Sequence, residues 1–249
     1  IRVSPRDENN VYILGLRLMA STDGGKTFRD IVTKNHVHPD HHELWINPEN
    51  PAHLINGNDG GVYFSYDRGE SWQHINNIPI AEFYAISVDM ANPYRISGGT
   101  QDYGPLIGPS DYIPEQWVED PWQSLGVGDA SFVLVDPQDA DTVYYVIQFG
   151  GLFRHTLSTG KNTDIKPKIK IGEKPLRFNW VSPLIISHHN PLTLYYGAQK
   201  VLKSLNRGDT WRCISPDLTT NPGPERQGDV VYGTLTTISE SPIQPGLIY

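Results

Sequence analysis

The sequence predicts an all-β protein built from repeated four-stranded antiparallel blades, the β-propeller arrangement. Three observations carry that expectation. An eight-residue phrase, Ser-x-Asp/Asn-x-Gly-x-Thr/Ser-aromatic, occurs at Ser21–Phe28, Ser65–Trp72 and Ser204–Trp211; its first two copies lie 44 residues apart and the third 139 further on, close to three such steps. A second phrase, two apolar runs around a Pro/Asn/Asp turn, occurs six times, and its anchors Asn9, Pro51, Pro93, Ala140, Pro191 and Pro245 are spaced 42, 42, 47, 51 and 54 residues apart. The composition matches short strands and tight turns, with 23 Gly, 20 Pro, 13 Tyr, 7 Phe and 6 Trp in 249 residues. A fixed period in this range marks an array of supersecondary units, and four strands per period is a propeller blade.

Taken in order, the blades are expected at about 1–33, 36–77, 79–123, 126–172 and 176–215, with an incomplete sixth at 232–249, all in one propeller region over 1–249. Each opens on the two-run phrase, strands A and B, because Pro presets a turn and cannot continue a ladder. The eight-residue phrase then falls between strands C and D of the first, second and fifth blades. The third and fourth lack it. Residues 105–123 of the third read as a diverged outer edge whose Trp117 and Trp122 cover a neighbouring blade. Ser215–Gly228, rich in Pro, Asn and Gly, reads as a long connection, and long loops on rigid scaffolds are where recognition concentrates. The chain starts without Met and stops at Tyr249 inside a strand pattern, so it is expected to be a fragment that continues into further blades or domains.

Charge and cysteine content narrow the function classes. The net charge of −8 is the wrong sign for a nucleic-acid binder, which displaces counterions with a basic surface. No apolar run reaches the roughly 18 residues that span a membrane. The single cysteine, Cys213, excludes an internal disulfide, and beside Trp211 it reads as a small buried hydrophobe.

The eight-residue phrase resembles the Asp-box, or BNR, repeat of sialidases, of the sortilin propeller and of xyloglucan-degrading propeller glycosidases. The strings Asn58-Asp59-Gly60-Gly61-Val62-Tyr63, Arg177-Phe178-Asn179-Trp180 and Ile214-Ser215-Pro216-Asp217-Leu218 look most similar to bacterial sortilin-like BNR proteins. The resemblance covers the whole chain and implies export to the periplasm or secretion. The cysteine-rich module that follows the sortilin propeller is missing. In these families the boxes sit on the rim away from the active site, so Asp23, Asp67 and Asn206 are expected to be structural, accepting backbone N–H bonds across the C–D turn. Their aromatics, Phe28, Trp72 and Trp211, are expected to pack between blades.

Function is therefore expected at the other end of the strands. If alternate residues of strand A face a central channel, the repeat register places Asp40, Glu82, Asp129 and Trp180 in one ring. His42, Tyr84, Ser131 and Ser182 form the next, and Leu44, Ile86, Val133 and Leu184 an aliphatic plug. The B–C turns return to the same end and carry Asn58-Asp59, Gln101-Asp102, Gln148 and Gln199. Five acids, Asp40, Asp59, Glu82, Asp102 and Asp129, are thereby expected to converge, which raises a pKa or recruits a cation.

Three readings follow. The first is a binding or scaffold module for a protein, peptide or polysaccharide, using Asp40, His42, Glu82, Tyr84, Gln101, Asp129 and Trp180; an assembly factor for a membrane complex is its scaffold form. The second is a glycoside hydrolase acting on a β-glucan-type polysaccharide through Asp59 and Asp102. The Asn58-Asp59-Gly60-Gly61 turn resembles the Thr-Asp-x-Gly-Gly turn that carries a catalytic Asp in the xyloglucanases, whose partner carboxylate comes from a second propeller. Sialidase chemistry is not expected, because Arg17, Arg95 and Arg177 do not occupy matching motifs. The third is a cation site, Ca²⁺ or a transition metal, near the histidine-dense His36–His42 segment, although no spaced metal signature supports it and no cofactor is otherwise implied.

Overall fold

A computed structural model describes residues 1–78, 80–113, 121–168, 172 and 174–249. Among them are twenty β-strands and no α-helix. They form five four-stranded sheets, each an antiparallel meander in chain order. The first sheet is β1 (Arg2–Ser4), β2 (Asp7–Ile13), β3 (Met19–Ser21) and β4 (Arg29–Asp30). The second is β5 (His41–Ile46), β6 (Leu54–Asn58), β7 (Gly61–Ser65) and β8 (Gln73–His74). The third is β9 (Phe83–Val88), β10 (Arg95–Thr100), β11 (Gly104–Pro109) and β12 (Gln123–Ser124). The fourth is β13 (Ala130–Asp136), β14 (Asp139–Ile147), β15 (Gly151–Thr156) and β16 (Lys161–Asp164). The fifth is β17 (Leu184–Ile186), β18 (Leu194–Gly197), β19 (Val201–Ser204) and β20 (Arg212–Cys213). This all-β set of repeated meanders is the blade architecture of a propeller fragment. Two compact units divide it: Ile1–Ile80 holds the first two sheets, and Ala81–Tyr249 the other three. Of the expected sixth blade, the described strand pairing is one bridge between Glu240 and Ile248.

The turn between the first two strands repeats its wiring. The N–H of Asn47, Asp89 and Ser187 donates to the carbonyl of His53, Arg95 and Thr193 at 3.0, 3.2 and 2.9 Å. Each opening side chain then accepts turn N–H groups, as when Asp89 Oδ1 accepts from Ala91 and Arg95. The recurrent Pro/Asn/Asp phrase thus encodes one closed turn.

The aliphatic ring expected to plug a channel packs elsewhere. Leu44 lies in a core with Tyr12, Leu18 and Ile31 of the first sheet. Val133 packs with Ile107 and Leu125 of the third, and Leu184 with Tyr144, Val146 and Leu152 of the fourth. Each of these faces the preceding sheet of its unit. The reason is that strand side chains stand perpendicular to the sheet, so alternation sorts residues between the two flanking sheets rather than toward an axis. Ile86, at the same register in the third sheet, is 68% exposed.

The Asp boxes close the β3–β4, β7–β8 and β19–β20 turns. Asp23 Oδ1 accepts the N–H of Lys26 and Thr27, both at 2.9 Å, and Oδ2 the Thr27 hydroxyl at 2.6 Å. Asp67 makes the corresponding bonds to Ser71, and Asn206 Oδ1 accepts the Thr210 N–H at 2.9 Å. The leading serine helps: Ser21, Ser65 and Ser204 accept the N–H of Gly25, Gly69 and Gly208. Those glycines sit at φ of 86°, 89° and 90°, where a Cβ is strained.

The box tryptophans latch sheet to sheet. Trp72 Nε1 donates to the Ile31 carbonyl at 3.0 Å and Trp211 Nε1 to the Ile165 carbonyl at 2.8 Å, in each case the residue just past the last strand of the preceding sheet. The residue three after the latch position bonds back into its own sheet, as Ile75 to Val62 and Ile214 to Val201. The same rule, applied to the Leu125–Pro105 and Ile165–Leu152 bonds, places Trp122 and Asn162 at the latch positions of the third and fourth sheets. Trp122 lies against Gly108, where a Cβ would fall 2.4 Å from the indole. Trp117 lies outside the described residues. Cys213 is exposed rather than buried, because it sits on β20, the outer strand of its sheet.

The boxes make acid stability testable. Hydrogen bonds from the Thr27 hydroxyl and backbone, helped by Ser21, lower the Asp23 carboxyl to about 2. Asp67 is also lowered, its Ser71 and Ser65 bonds outweighing burial. A depressed folded-state pKa stabilises above the unfolded value near 3.8, and that stabilisation is lost as pH falls from there toward about 2. The first unit of the Asp23→Asn, Asp67→Asn variant, which copies Asn206, is expected to lose less stability between pH 5 and about 2 than the wild type in urea titrations. Parallel losses would rule this out.

Candidate functional site

In the second unit, six residues singled out by the sequence meet at the end of the strands opposite the C–D turns. Tyr84 projects from β9; Gln101 and Asp102 occupy the β10–β11 turn; Asp129 precedes β13; Trp180 precedes β17. The Gln101 N–H donates to the Glu82 carbonyl at 3.0 Å and brings the turn onto the start of β9. A chain of side-chain bonds then joins the fifth sheet to the third: Trp180 Nε1 donates to the Tyr84 hydroxyl at 3.1 Å, which donates to Gln101 Oε1 at 3.1 Å. Asp129, almost fully buried, accepts the Asp102 N–H on Oδ1 at 3.0 Å and so holds Asp102 at a φ of 65°. Aspartate tolerates this left-handed backbone better than most residues.

Electrostatics tie the carboxylates to the ring. The Tyr84 phenol is raised above its ordinary value by burial, against the Trp180 hydrogen bond and with the charges of Asp129, Glu82 and Asp102 adding to the rise. Three negative charges therefore act on one half-exposed tyrosine and its indole partner.

Sequence reasoning missed three contributors here. Phe149 meets Trp180 edge to face at 5.2 Å between ring centroids, and its N–H donates to the Asn179 carbonyl. Phe149 itself sits at a φ of 58°, a non-glycine exception that no composition signal announces. Asn179 accepts the Trp180 backbone N–H on Oδ1 and donates through Nδ2 to the Val231 carbonyl at 2.8 Å, fixing the main chain that carries the indole and holding the 215–233 loop beside it. Arg177 anchors that loop. Its guanidinium donates to Asp217 Oδ2, Thr219 Oγ1, Asn221 Oδ1 and the Gly233 carbonyl, at 2.8, 3.0, 2.9 and 3.2 Å. With its donors committed, Arg177 is a structural residue rather than a carboxylate receptor.

The first unit holds a separate group. Asp40, His42 and Asp59 meet where the β6–β7 turn closes on the start of β5. The Asp59 N–H donates to the Asp40 carbonyl at 3.3 Å, and His42 Nε2 lies 2.6 Å from Asp59 Oδ1. A bulge between His41 and Glu43 turns His42 out to solvent while His41 goes in, bonded to Asn56 at 2.8 Å. Gly60 is required in this turn, since a Cβ there would come within 2.3 Å of His38.

Among the described residues no set of three or more His, Cys, Asp or Glu is arranged to hold a metal ion. Among the described residues, hydrogen bonds and cations displace the titration of carboxylates such as Asp89 and Asp217 downward. Among the described residues no helix is long and apolar enough to cross a membrane.

No family model matches this chain, and no curated protein does. Solved structures that resemble it are β-propeller proteins. The GH74 xyloglucanase from Xanthomonas campestris is 16% identical, with a TM-score of 0.40 over 97% of this chain and 42% of that one. The GH74 enzyme of Niastella koreensis is 16% identical, with a TM-score of 0.36 over 85% of this chain and 37% of that one. YCF48, in a structure bound to D1 peptide, is 12% identical, with a TM-score of 0.35 over 82% and 64%. The chain thus spans less than two thirds of each of these relatives.

Proposed function

We propose that this chain is a ligand-binding module of the Asp-box kind, exported from the cytoplasm, whose site is the aromatic and acidic end of the second unit. Its ligand is a peptide or protein segment carrying a basic side chain. The observation that carries the reading is the Trp180–Tyr84–Gln101 chain set among Glu82, Asp102 and Asp129. A half-exposed indole fixed at its N–H, beside a phenol under three negative charges, suits a lysine or arginine: the ring face attracts the cation and the carboxylates neutralise it. Polymer sugars, which also stack on aromatic faces, and assembly of a membrane complex are variants of the same binding role.

The test is titration calorimetry with short peptides differing only in Lys/Arg against Glu. Basic peptides are expected to bind, more weakly as salt rises. Trp180→Ala is expected to cost about 2 kcal/mol, roughly thirtyfold in affinity, as central aromatic anchors do. Tyr84→Phe removes one hydroxyl and serves as the variant least disruptive to folding. Equal binding of acidic peptides, or unchanged affinity in both variants, would sink the proposal. A hydrolase reading is supported by the Asp59–His42 contact; release of sugar from a β-glucan, lost in Asp59→Asn and Asp102→Asn, would put it first.

A further inference from the structure

The fourth sheet carries a disguised Asp box, and the disguise opens a cleft. Ser65 and Trp72, and likewise Ser204 and Trp211, begin and end their phrases, in each case seven residues apart. In the fourth sheet His155 pairs across the ladder with Asn162, also seven residues apart, in the same place relative to the Ile165–Leu152 bond. His155 therefore stands where the boxes have serine, and Asn162 where they have an aromatic ring. The latch survives the exchange: Asn162 Nδ2 donates to the Leu125 carbonyl at 3.0 Å, as Trp72 and Trp211 donate to Ile31 and Ile165. The ring does not survive. Beside Asn162, between the third and fourth sheets, lies a cleft of about 620 Å³ whose lining includes Leu125, Gly126, His155, Leu157 and Asn162.

The hydrogen-bond polarity at this point is determined. A carbonyl only accepts, so Asn162 turns its amide nitrogen to Leu125 and its oxygen to the imidazole. His155 Nδ1, 2.8 Å from that oxygen, must be the protonated nitrogen. In the neutral ring Nε2 is then the acceptor; no hydrogen bond to it is found among the described residues, and the residue, only 6% exposed, lines the cleft. A ligand that fills the cleft takes water from this acceptor, so it keeps its binding energy only by bringing a donor of its own.

We propose that this cleft binds a planar heteroaromatic ring of indole size that donates an N–H to His155 Nε2. The ring takes the volume that Trp72 and Trp211 fill from within in the other sheets, packing on Leu125 and Leu157. This site is distinct from the Trp180 face and does not depend on it.

Indole and N-acetyltryptophanamide are the probes, with 1-methylindole as the control that keeps the ring but lacks the donor. Saturable binding is expected by calorimetry, together with a change in the ¹⁵N shift of His155 Nε2. The methylated ring is expected to bind at least tenfold more weakly. Asn162→Trp restores the internal indole, so it should abolish binding while raising the melting temperature; His155→Leu should weaken indole at least tenfold and erase its advantage over 1-methylindole. Binding of both probes, or of indole alone where the cleft is closed to a peptide backbone, supports the proposal. Failure of indole to saturate the wild type, or indole affinity unchanged in Asn162→Trp and His155→Leu, overturns it.

Discussion

Arg177→Ala is expected to lower the stability of the second unit by about 3 kcal/mol, which corresponds to a fall of roughly 6–12 °C in melting temperature. The Arg177 side chain is 22% exposed, and its donors reach four separate points on the 215–233 segment. Removing it strands Asp217, whose carboxyl is lowered by its Thr219 and Arg177 bonds against the cost of its burial. The segment has only a short 3₁₀ turn, Pro224–Arg226, as regular structure of its own. Its order therefore rests mainly on this side chain, with the Asn179–Val231 bond, the Leu218 N–H to the Gln199 carbonyl and the Val201 N–H to Ser215 Oγ beside it. Arg177→Lys should recover little, because a lysine cannot present a planar fork to four acceptors. Urea denaturation checks the magnitude, and hydrogen exchange checks the location: faster exchange should concentrate in 217–233. Full stability in Arg177→Lys would show that charge alone is the anchor.

The loop matters because Asn179 ties it to the Trp180 backbone, which carries the indole. Loosening 215–233 should therefore also weaken ligand capture at Trp180, although Arg177 lies outside that face. Stability and recognition are coupled through one backbone carbonyl, that of Val231.

The sequence was most legible where a repeat constrains it. The eight-residue phrase identifies three C–D turns, and the Pro/Asn/Asp phrase identifies the A–B turns with their closing bonds. It was least legible where one element replaces another at equal length. His155–Asn162 keeps the spacing of an Asp box and none of its letters, so only the strand register exposes the match. The strand-A rings misled for a different reason. A period of two separates two faces but does not say what each face meets: Leu44, Val133 and Leu184 meet the preceding sheet, whereas Ile86 is exposed. At the site, Tyr84, Gln101, Asp102, Asp129 and Trp180 were placed by register because they sit at strand ends that the repeat aligns. Phe149 and Asn179 escaped, since the bonds that recruit them join segments 30 residues apart through backbone groups that carry no sequence signal.

Trp211→Ala is expected to be the other severe change, costing about 3 kcal/mol by removing a ring that packs on Tyr196 and Ile165 and a hydrogen bond that links two sheets. Three variants separate these contributions. Trp211→Phe keeps most of the packing but leaves the Ile165 carbonyl without its donor, a cost of about 1–2 kcal/mol. Asn162→Ala removes a latch bond where no ring was present, and should cost about the same as Trp211→Phe. Trp72→Ala, at the equivalent position in the first unit, should resemble Trp211→Ala, because Trp72 packs on the same kind of isoleucine and bonds its carbonyl at 3.0 Å. Chemical denaturation of each variant gives the order. If Asn162→Ala proved as damaging as Trp211→Ala, ring packing would not be what holds these sheets together. If Trp211→Phe were neutral, the indole N–H would be a passive consequence of packing. The expected order, with both tryptophan truncations well above the other two, makes the box aromatic a packing element first and a latch second. That is why one sheet can exchange it for asparagine and leave a cleft in its place.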